Sequence, residues 1–295
     1  MKRIHKALLL LTLGSLLAAC GAMPAKRPGT ELRFAVLGDA EPKPEPKFPN
    51  MAAAVADVNR LGKQGRIDYV VGVGDIAHKG TLIQYENATP VLQKLERPFY
   101  PIMGNEEHDS TVERFLEYAN RWNQGKGAIK SHRYVIEHDS VALIFASPDH
   151  GRDFDDSGIA WLGQQIKRLQ PKPVFLIVHG AQTGVYPENA DKGVKHPGFA
   201  ALLAEPNVSA VISGDLHMDM DRVKHSKQIG RVHYLHIPAL ERTKIPDASR
   251  HTPMFRVFSV RSDGRVDVET YRVGQAAPLP QHAYSFRLPA RAAGK

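Results

Sequence analysis

Short apolar runs alternate with segments of helical periodicity along most of this 295-residue sequence, and this alternation constrains the fold more than any other feature. Runs such as 69–73 and 174–178 have the length of single buried strands. Between them lie segments such as 51–61, in which apolar residues recur every three or four positions. Strands that alternate with helices form crossover units around a largely buried mixed sheet. The pattern therefore predicts an α/β fold.

The individual elements can be placed from the same periodicities. Helices are predicted at 51–61, 82–95, 111–122, 159–169 and 199–204. Strands are predicted at 32–37, 69–73, 99–103, 132–137, 141–146, 174–178, 208–212, 232–237, 255–260 and 266–271. The last three strands follow one another without a predicted helix, so we expect a second sheet that packs on the first.

The N-terminus resembles a bacterial lipoprotein signal peptide. Three basic residues, Lys2, Arg3 and Lys6, precede an apolar run at 7–17 that is too short to span a membrane as a stable helix. Small residues then lead to Cys20, the only cysteine of the chain, so an internal disulfide is excluded. The resemblance implies lipidation of Cys20. A plain cleaved signal peptide and an uncleaved anchor are the alternatives.

These features predict how the chain is divided and where it is located. We expect a signal peptide at 1–19, a tether at 20–30, one domain at 31–275 and a C-terminal tail at 276–295. Acylated Cys20 would insert in the bilayer, and Gly21 after it favours the outer membrane, with the domain facing the periplasm. Without the three basic residues of the signal peptide the formal net charge falls from +8 to +5. This mildly basic balance gives no reason to expect nucleic acid as a partner.

Five apolar runs end in polar residues that are able to bind a metal or to move a proton. In chain order these residues are Asp39 and Glu41; Asp75 and His78; Asn105, Glu106, Glu107, His108 and Asp109; His179; and Asp215 and His217. One such ending alone is typical of a turn, a helix cap or a structural histidine. Five endings indicate more, because the ligands of open α/β sheets collect at the carboxyl ends of strands. The sequence therefore predicts one site built from all five.

The ordered set resembles the motifs of the calcineurin-like metallophosphoesterases, which run D-x-H, G-D, G-N-H, H and G-H-x-H. The resemblance covers residues 32–237 and implies an α/β/β/α sandwich, in which two sheets are flanked by helices and two divalent metal ions lie at the strand ends. It implies that one ion is held by Asp39, Glu41, Asp75 and His217. The other would be held by Asp75, Asn105, His179 and Asp215, so that Asp75 bridges the pair.

Such a centre suits the hydrolysis of phosphate esters. The anionic oxygens of the ester repel an anionic nucleophile, and two divalent ions about 3.5–4 Å apart neutralise those oxygens and activate a water molecule. The resemblance therefore implies a metal-dependent phosphoesterase of the cell envelope that acts on small mono- or diesters. Nucleotides, lipid headgroups and sugar phosphates all stay open as substrates, and so does the oligomeric state.

The sequence departs from the family pattern at Glu41, Glu106 and Asp215, where a carboxylate replaces a histidine. Glu41 and Asp215 still offer an oxygen ligand, but the ligands now carry four negative charges against two divalent ions. We therefore expect weaker attraction of an anionic substrate. We also expect Mn²⁺, Mg²⁺, Ca²⁺ or Fe²⁺ rather than Zn²⁺, because hard ions prefer oxygen ligands.

Glu106 stands where the family has a histidine that stabilises the transferring phosphoryl group or protonates the leaving group. A carboxylate with an ordinary pKa near 4.3 is a poor proton donor at pH 7. A protonated Glu106 and His108 are the first candidates for this role, and His78 and His150 are further ones. Asn105 is expected to hold the phosphate oxygens as well as a metal ion.

Other classes of function are weighed against this one. A degenerate envelope protein that keeps the fold and binds a metal or a ligand without turnover is the main alternative. A nuclease has little support, because the sequence lacks a basic cluster with interleaved aromatic residues. Serine hydrolases, nucleotide switches and dehydrogenases are disfavoured, because their glycine-containing motifs are missing.

Overall fold

The computed structural model describes residues 29–244 and 251–289. Within these ranges the chain forms two six-stranded sheets with helices against their outer faces. The predicted signal peptide, Cys20 and most of the predicted tether lie outside the described residues. In the described ranges, no helix is both long and apolar enough to cross a membrane.

The bounds of the elements lie close to those expected from the sequence. The strands are β1 (Thr30–Leu37), β2 (Tyr69–Gly72), β3 (Phe99–Pro101), β4 (Arg133–Glu137), β5 (Ala142–Ala146), β6 (Val174–Val178), β7 (Val208–Ser213), β8 (Ser226–Ile229), β9 (Val232–His236), β10 (Met254–Arg261), β11 (Arg265–Arg272) and β12 (Tyr284–Arg287). The helices are α1 (Pro49–Gln64), α2 (Leu82–Leu92), α3 (Val112–Asn123), α4 (Asp156–Arg168) and α5 (Pro197–Leu203).

Both sheets are mixed, and each has a parallel part. The first sheet has the order β12-β11-β10-β1-β2-β3, in which β1, β2 and β3 are parallel and β10 is antiparallel to β1. The second has the order β4-β5-β6-β7-β9-β8, with β5, β6, β7 and β9 parallel and antiparallel strands at its two edges. The parallel parts matter for function, because parallel strands direct their carboxyl ends to the same edge of a sheet.

The two sheets enclose a continuous apolar layer. Phe34 of β1 stacks on Phe258 of β10 with ring centroids 5.0 Å apart, and both pack with Phe145 and Ile177 of the second sheet. Strands β5 and β6 are covered on both faces, which explains why their sequences are apolar throughout and do not alternate.

Helices complete the sandwich on either side. Helices α1, α2 and α3 pack on the outer face of the first sheet, where Tyr85 and Trp122 stack with centroids 5.8 Å apart. Helices α4 and α5 pack on the outer face of the second sheet through Leu162 and Phe199. This order of layers confirms the α/β/β/α fold class predicted from the sequence.

Two strands were not predicted, and both lie at sheet edges. Strand β8 is a partly exposed, largely polar segment that pairs only with β9. Strand β12 lies in the region expected to be a C-terminal tail, and Phe286 pairs there with Val266 of β11. Both segments are short and mostly polar, so the neighbouring strand, and not their own apolar pattern, determines their conformation.

Candidate metal centre

The five polar strand ends predicted to form one site do meet. Asp39 and Glu41 follow β1, Asp75 follows β2, Asn105 follows β3, His179 follows β6, and Asp215 and His217 follow β7. The first sheet therefore supplies four of these side chains and the second supplies three, and they gather where the carboxyl ends of the two parallel parts face each other.

One group of ligand atoms surrounds His217. Asp39, Asp75 and His217 each present one ligand atom within 4.8 Å of the others, and all three residues are buried. Glu41 Oε1 lies 3.1 Å from His217 Nε2. The other ring nitrogen, Nδ1, lies 3.0 Å from the carbonyl oxygen of Arg242 and must donate to it. Nε2 therefore faces the carboxylates and is the ring nitrogen that would bind a metal ion.

A second group surrounds His179. Its Nε2 lies 3.2 Å from Asn105 Oδ1, 3.4 Å from Asp75 Oδ2 and 3.7 Å from Asp215 Oδ1. Its Nδ1 lies 2.8 Å from the carbonyl oxygen of Val73, which fixes the ring. Asp75 Oδ2 is also 3.7 Å from His217 Nε2. Asp75 therefore faces both groups, as a bridging carboxylate must.

The gathered residues fit a divalent metal centre. Neither Asp75 Oδ2 nor His217 Nε2 has a hydrogen-bond partner among the residues that the structure describes, although both atoms are buried. Buried polar atoms are rarely left unpaired, so these two atoms fit a bound cation. The backbone also closes tightly around them, because a Cβ on Gly104 would lie 2.2 Å from Asp75 Oδ1.

Three of these residues have a left-handed backbone conformation. The φ angle is 50° at Asp75, 72° at Asp215 and 48° at His217. This region costs a non-glycine residue on the order of 1–3 kcal/mol and is concentrated at functional sites. The sharp turns direct successive side chains towards the same point.

Glu107 holds the Asp75 turn and was given no role by the sequence interpretation. Its carboxylate accepts hydrogen bonds from the backbone N–H groups of Asp75 (2.9 Å), Ile76 (2.7 Å), Ala77 (2.8 Å) and Gly104 (2.8 Å). Burial and the charge of Asp75 raise the pKa of Glu107 to about 7 against the lowering effect of these donors. No local signal distinguishes it from the acidic residues beside it in the sequence.

Carboxylates dominate the electrostatics of the pocket. Burial lowers the pKa of His179, but the charge of Asp75, with those of Asp215 and Asp39, outweighs burial and raises it to about 10. Burial raises the pKa of Asp75, whereas its interactions with His179 and His217 hold it well below its usual range. Such a pocket stabilises positive charge.

Cationic side chains also contact the carboxylates of the site, and the sequence interpretation did not include them. Arg152 Nε lies 2.6 Å from Asp215 Oδ1. Arg242 Nη1 lies 3.4 Å from Glu41 Oε1, and Lys43 Nζ lies 3.2 Å from Glu41 Oε2. They contact the two carboxylates that replace ligand histidines. The sequence interpretation counted four negative ligand charges against two divalent ions. That count is incomplete, because it leaves out the positive side chains beside Glu41 and Asp215.

The structure separates the candidates for proton donor. His78 Nδ1 lies 2.6 Å from Glu106 Oε2, and the Lys79 N–H group donates to the same oxygen at 2.9 Å. His108 instead hydrogen-bonds the backbone of Pro148. His150 pairs with the backbone of Asp153 in a separate turn. Among the candidates, His78 is therefore the histidine in contact with Glu106.

Comparison with known proteins points to one family. The sequence profile of the calcineurin-like phosphoesterases matches residues 32–219, which include all the side chains gathered at the site. No curated protein sequence matches the chain.

Solved structures share the fold at low identity. The chain is similar to GAP50, the anchor in the inner membrane complex of Plasmodium, with a TM-score of 0.60 and 12% identity over 89% of this chain and 90% of that one. It is similar to the purple acid phosphatase PPD1 of yellow lupin (Lupinus luteus), with a TM-score of 0.58 and 11% identity over 87% and 53%. TT1561 of Thermus thermophilus gives a TM-score of 0.53 and 10% identity over 83% and 100%.

Proposed function

The chain belongs to the calcineurin-like phosphoesterase family, as the resemblance of its motifs predicted, and on that premise we propose that it hydrolyses phosphate mono- or diesters in a metal-dependent reaction. The observation that carries the proposal is the buried group of Asp39, Asp75 and His217, whose ligand atoms converge at the strand ends. The purple acid phosphatase with the same fold supports it.

The chain's own residues supply binding and orientation. Asp39, Glu41, Asp75 and His217 would hold one divalent ion, and Asp75, Asn105, His179 and Asp215 are the candidate ligands of another. A bound ion supplies charge neutralisation of the phosphate oxygens and a more acidic water molecule. Asn105 is half-buried and offers its amide at the edge of the site. The planar guanidinium groups of Arg152 and Arg242 can each donate two N–H groups to a pair of phosphate oxygens.

The proton for the leaving group would come from His78, with Glu106 as the residue that positions it. Burial raises the pKa of Glu106, but hydrogen bonds from the Lys79 N–H group and the His78 ring outweigh it, and the pKa lies below its usual value. Glu106 is therefore ionised at neutral pH and is unsuited to donate a proton itself. An imidazole that this carboxylate orients is suited, because histidine is the side chain that most often serves as a general acid.

The decisive experiment combines a metal panel with one substitution at the bridge. We expect hydrolysis of p-nitrophenyl phosphate or its bis-ester with Mn²⁺, Mg²⁺, Ca²⁺ or Fe²⁺, and loss of that activity in Asp75→Asn. Asp156→Asn, at a fully exposed position on α4, is the matched control and is expected to retain wild-type rates. Full activity in Asp75→Asn contradicts the site assignment. Stoichiometric zinc in protein purified without added metal contradicts the preference for harder ions.

A non-catalytic binding protein is the second candidate. The replacement of histidines at three motif positions favours it, and so does the shared fold of GAP50, which is described as an anchor. This second candidate predicts that the protein binds a metal ion but hydrolyses no ester with Mn²⁺, Mg²⁺, Ca²⁺ or Fe²⁺. The same panel therefore decides between the two candidates, provided that metal content is measured on the same sample.

We further propose that the protein is lipid-anchored through Cys20 in the outer membrane and faces the periplasm, where it meets a small phosphate ester. The basic, apolar and small segments before the only cysteine support this location. Mass spectrometry of the N-terminal peptide from membranes is expected to show a diacylglyceryl modification on Cys20. An unmodified mature N-terminus at another residue contradicts it.

A further inference from the structure

A guanidinium group lies on Asp215, one of the candidate ligands of the second metal ion. Arg152 Nε is 2.6 Å from Asp215 Oδ1, the same oxygen that lies 3.7 Å from His179 Nε2. A guanidinium group keeps its positive charge at any physiological pH. Arg152 therefore interacts with the carboxylates of the centre as a cation.

The two groups of ligands differ in this respect. Around His217, Asp75 Oδ2 and His217 Nε2 have no hydrogen-bond partner within the described residues. The nearby cations contact glutamates, because Arg242 and Lys43 lie beside Glu41 and Lys43 also lies 3.9 Å from Glu106 Oε1. Around His179, the outermost carboxylate already accepts a short charge-assisted hydrogen bond. A dication placed beside that guanidinium would meet a like charge inside a largely buried pocket, where screening is weak.

Arg152 is also held in place by its own loop. Gly151 and Arg152 form a turn between His150 and Asp153, whose backbones pair. Asp153 Oδ1 accepts hydrogen bonds from the N–H groups of Lys195 and His196, both at 3.1 Å, which fixes the turn against the segment before α5. The contact with Asp215 therefore comes from a fixed turn.

We propose that Arg152 takes the place of the second metal ion, so that the chain holds one divalent ion, on the side of Asp39, Asp75 and His217. The inference rests on the proposed metal-binding site and changes its stoichiometry from two ions to one. It also accounts for Asp215, because a neutral imidazole at that position has no charge with which to hold a guanidinium. With Nε engaged by Asp215, the remaining N–H groups of Arg152 would supply the positive charge that a second ion offers to a phosphate.

The test counts Mn²⁺ bound per chain in the metal-loaded protein and records its electron paramagnetic resonance spectrum. We expect one Mn²⁺ in the wild type, with the spectrum of an isolated ion. Arg152→Ala and Arg152→Gln are expected to bind two, with the spectrum of an exchange-coupled pair. Arg152→Lys keeps the positive charge and is expected to bind one. Arg168→Ala is the matched control, because it removes an exposed arginine from Glu137, and it is expected to bind one.

The inference is overturned by two Mn²⁺ in the wild type, and also by one Mn²⁺ in both neutral variants. A wild type without Mn²⁺ overturns it together with the metal site. The failure of this inference and that of the proposed function remain distinguishable. If the protein hydrolyses esters with two ions bound, the proposed function is retained and the inference is overturned. If it binds one ion and hydrolyses no ester, the inference is retained and the proposed function is overturned. Arg152→Gln decides if Arg152→Ala does not fold.

Discussion

At the scale of single residues, each carboxylate that replaces a ligand histidine has acquired a cationic neighbour. Asp215 is paired with Arg152, and Glu41 with Arg242 and Lys43. A carboxylate without such a neighbour would leave an uncompensated buried charge, which is costly in a protein interior. The basic side chains around Asp215 and Glu41 therefore compensate the negative charge of these two buried carboxylates.

The His78 and Glu106 pair gives a prediction at this scale. We expect His78→Asn to lower kcat by 10²- to 10⁴-fold for alkyl phosphates, the usual contribution of a proton donor. The loss for p-nitrophenyl phosphate is expected to be far smaller, because p-nitrophenolate leaves without protonation. Steady-state kinetics with both leaving groups measures the difference. His108→Asn is the control, and an equal loss for both substrates in His78→Asn contradicts the assignment.

At the scale of elements, the site depends on how the loops after β2 and β3 are joined. Glu107, in the second loop, accepts three N–H groups of the first and one of its own. The turn that carries Asp75 is thereby fixed against the turn that carries Asn105. Glycines at 74 and 104 allow the two backbones to approach, since a Cβ on Gly74 would lie 2.6 Å from the Gly104 nitrogen.

Removing this connection is expected to weaken both the fold and the site. Glu107→Ala leaves four N–H groups without their acceptor, so we expect the free energy of unfolding to fall by about 3 kcal/mol and Mn²⁺ affinity to fall roughly 10- to 100-fold. Urea denaturation and metal titration measure the two effects. Asp109→Ala, at an exposed position two residues away, is the control and should change stability by less than about 0.5 kcal/mol. Unchanged metal affinity in Glu107→Ala would show that the turn carrying Asp75 keeps its conformation without the hydrogen bonds to Glu107.

At the scale of the whole molecule, buried basic groups lie where the second sheet meets β10. Arg256 is fully buried, and its Nη1 donates to the carbonyl oxygens of His225 and His236, both at 3.0 Å. Burial lowers the pKa of His225 to about 3 and holds the pKa of His236 well below its usual range. The sandwich therefore closes around imidazoles that must stay neutral.

Acid is expected to destabilise the molecule through these histidines. Between pH 6.5 and 3 the unfolded chain binds a proton at His225 that the folded chain does not, so stability falls as the pH is lowered. His225 alone contributes a loss of about 2 kcal/mol between pH 7.5 and 5. We expect His225→Gln, which still donates to the Asp219 carbonyl oxygen, to show a smaller loss. Urea denaturation at the two pH values checks this, and an equal loss in the variant would contradict it.

The parts that were predictable from the sequence share a physical basis. An apolar run in the sequence predicts a buried strand. In a parallel sheet the residues just after each strand lie at the same edge of the sheet, so they are expected to lie near one another. Asp39, Asp75 and His217 were therefore identifiable as members of one site before the fold was known. The layers followed from the alternation of strands and helices.

The parts that were not predictable depend on contacts between distant segments. Arg152 and Asp215 are 63 positions apart, and Glu107 reaches back 32 positions to Asp75. Nothing local distinguishes these side chains from other arginines and glutamates on loops. Strands β8 and β12 were not predicted for a related reason. They are edge strands, and their conformation depends on pairing with a neighbouring strand and not on an apolar pattern in their own sequence.

The division of the site between the two sheets has a consequence for when it can form. The Asp215 N–H group donates to Asp39 Oδ1 at 3.0 Å across 176 positions of sequence, so the two halves of the pocket meet only after both sheets have docked. Contacts so distant in sequence are late events in folding, because closing such long loops costs entropy before any contact compensates for it. A nascent or partly folded chain therefore carries no assembled pocket, so any metal affinity of the pocket is expected to appear only when folding is complete.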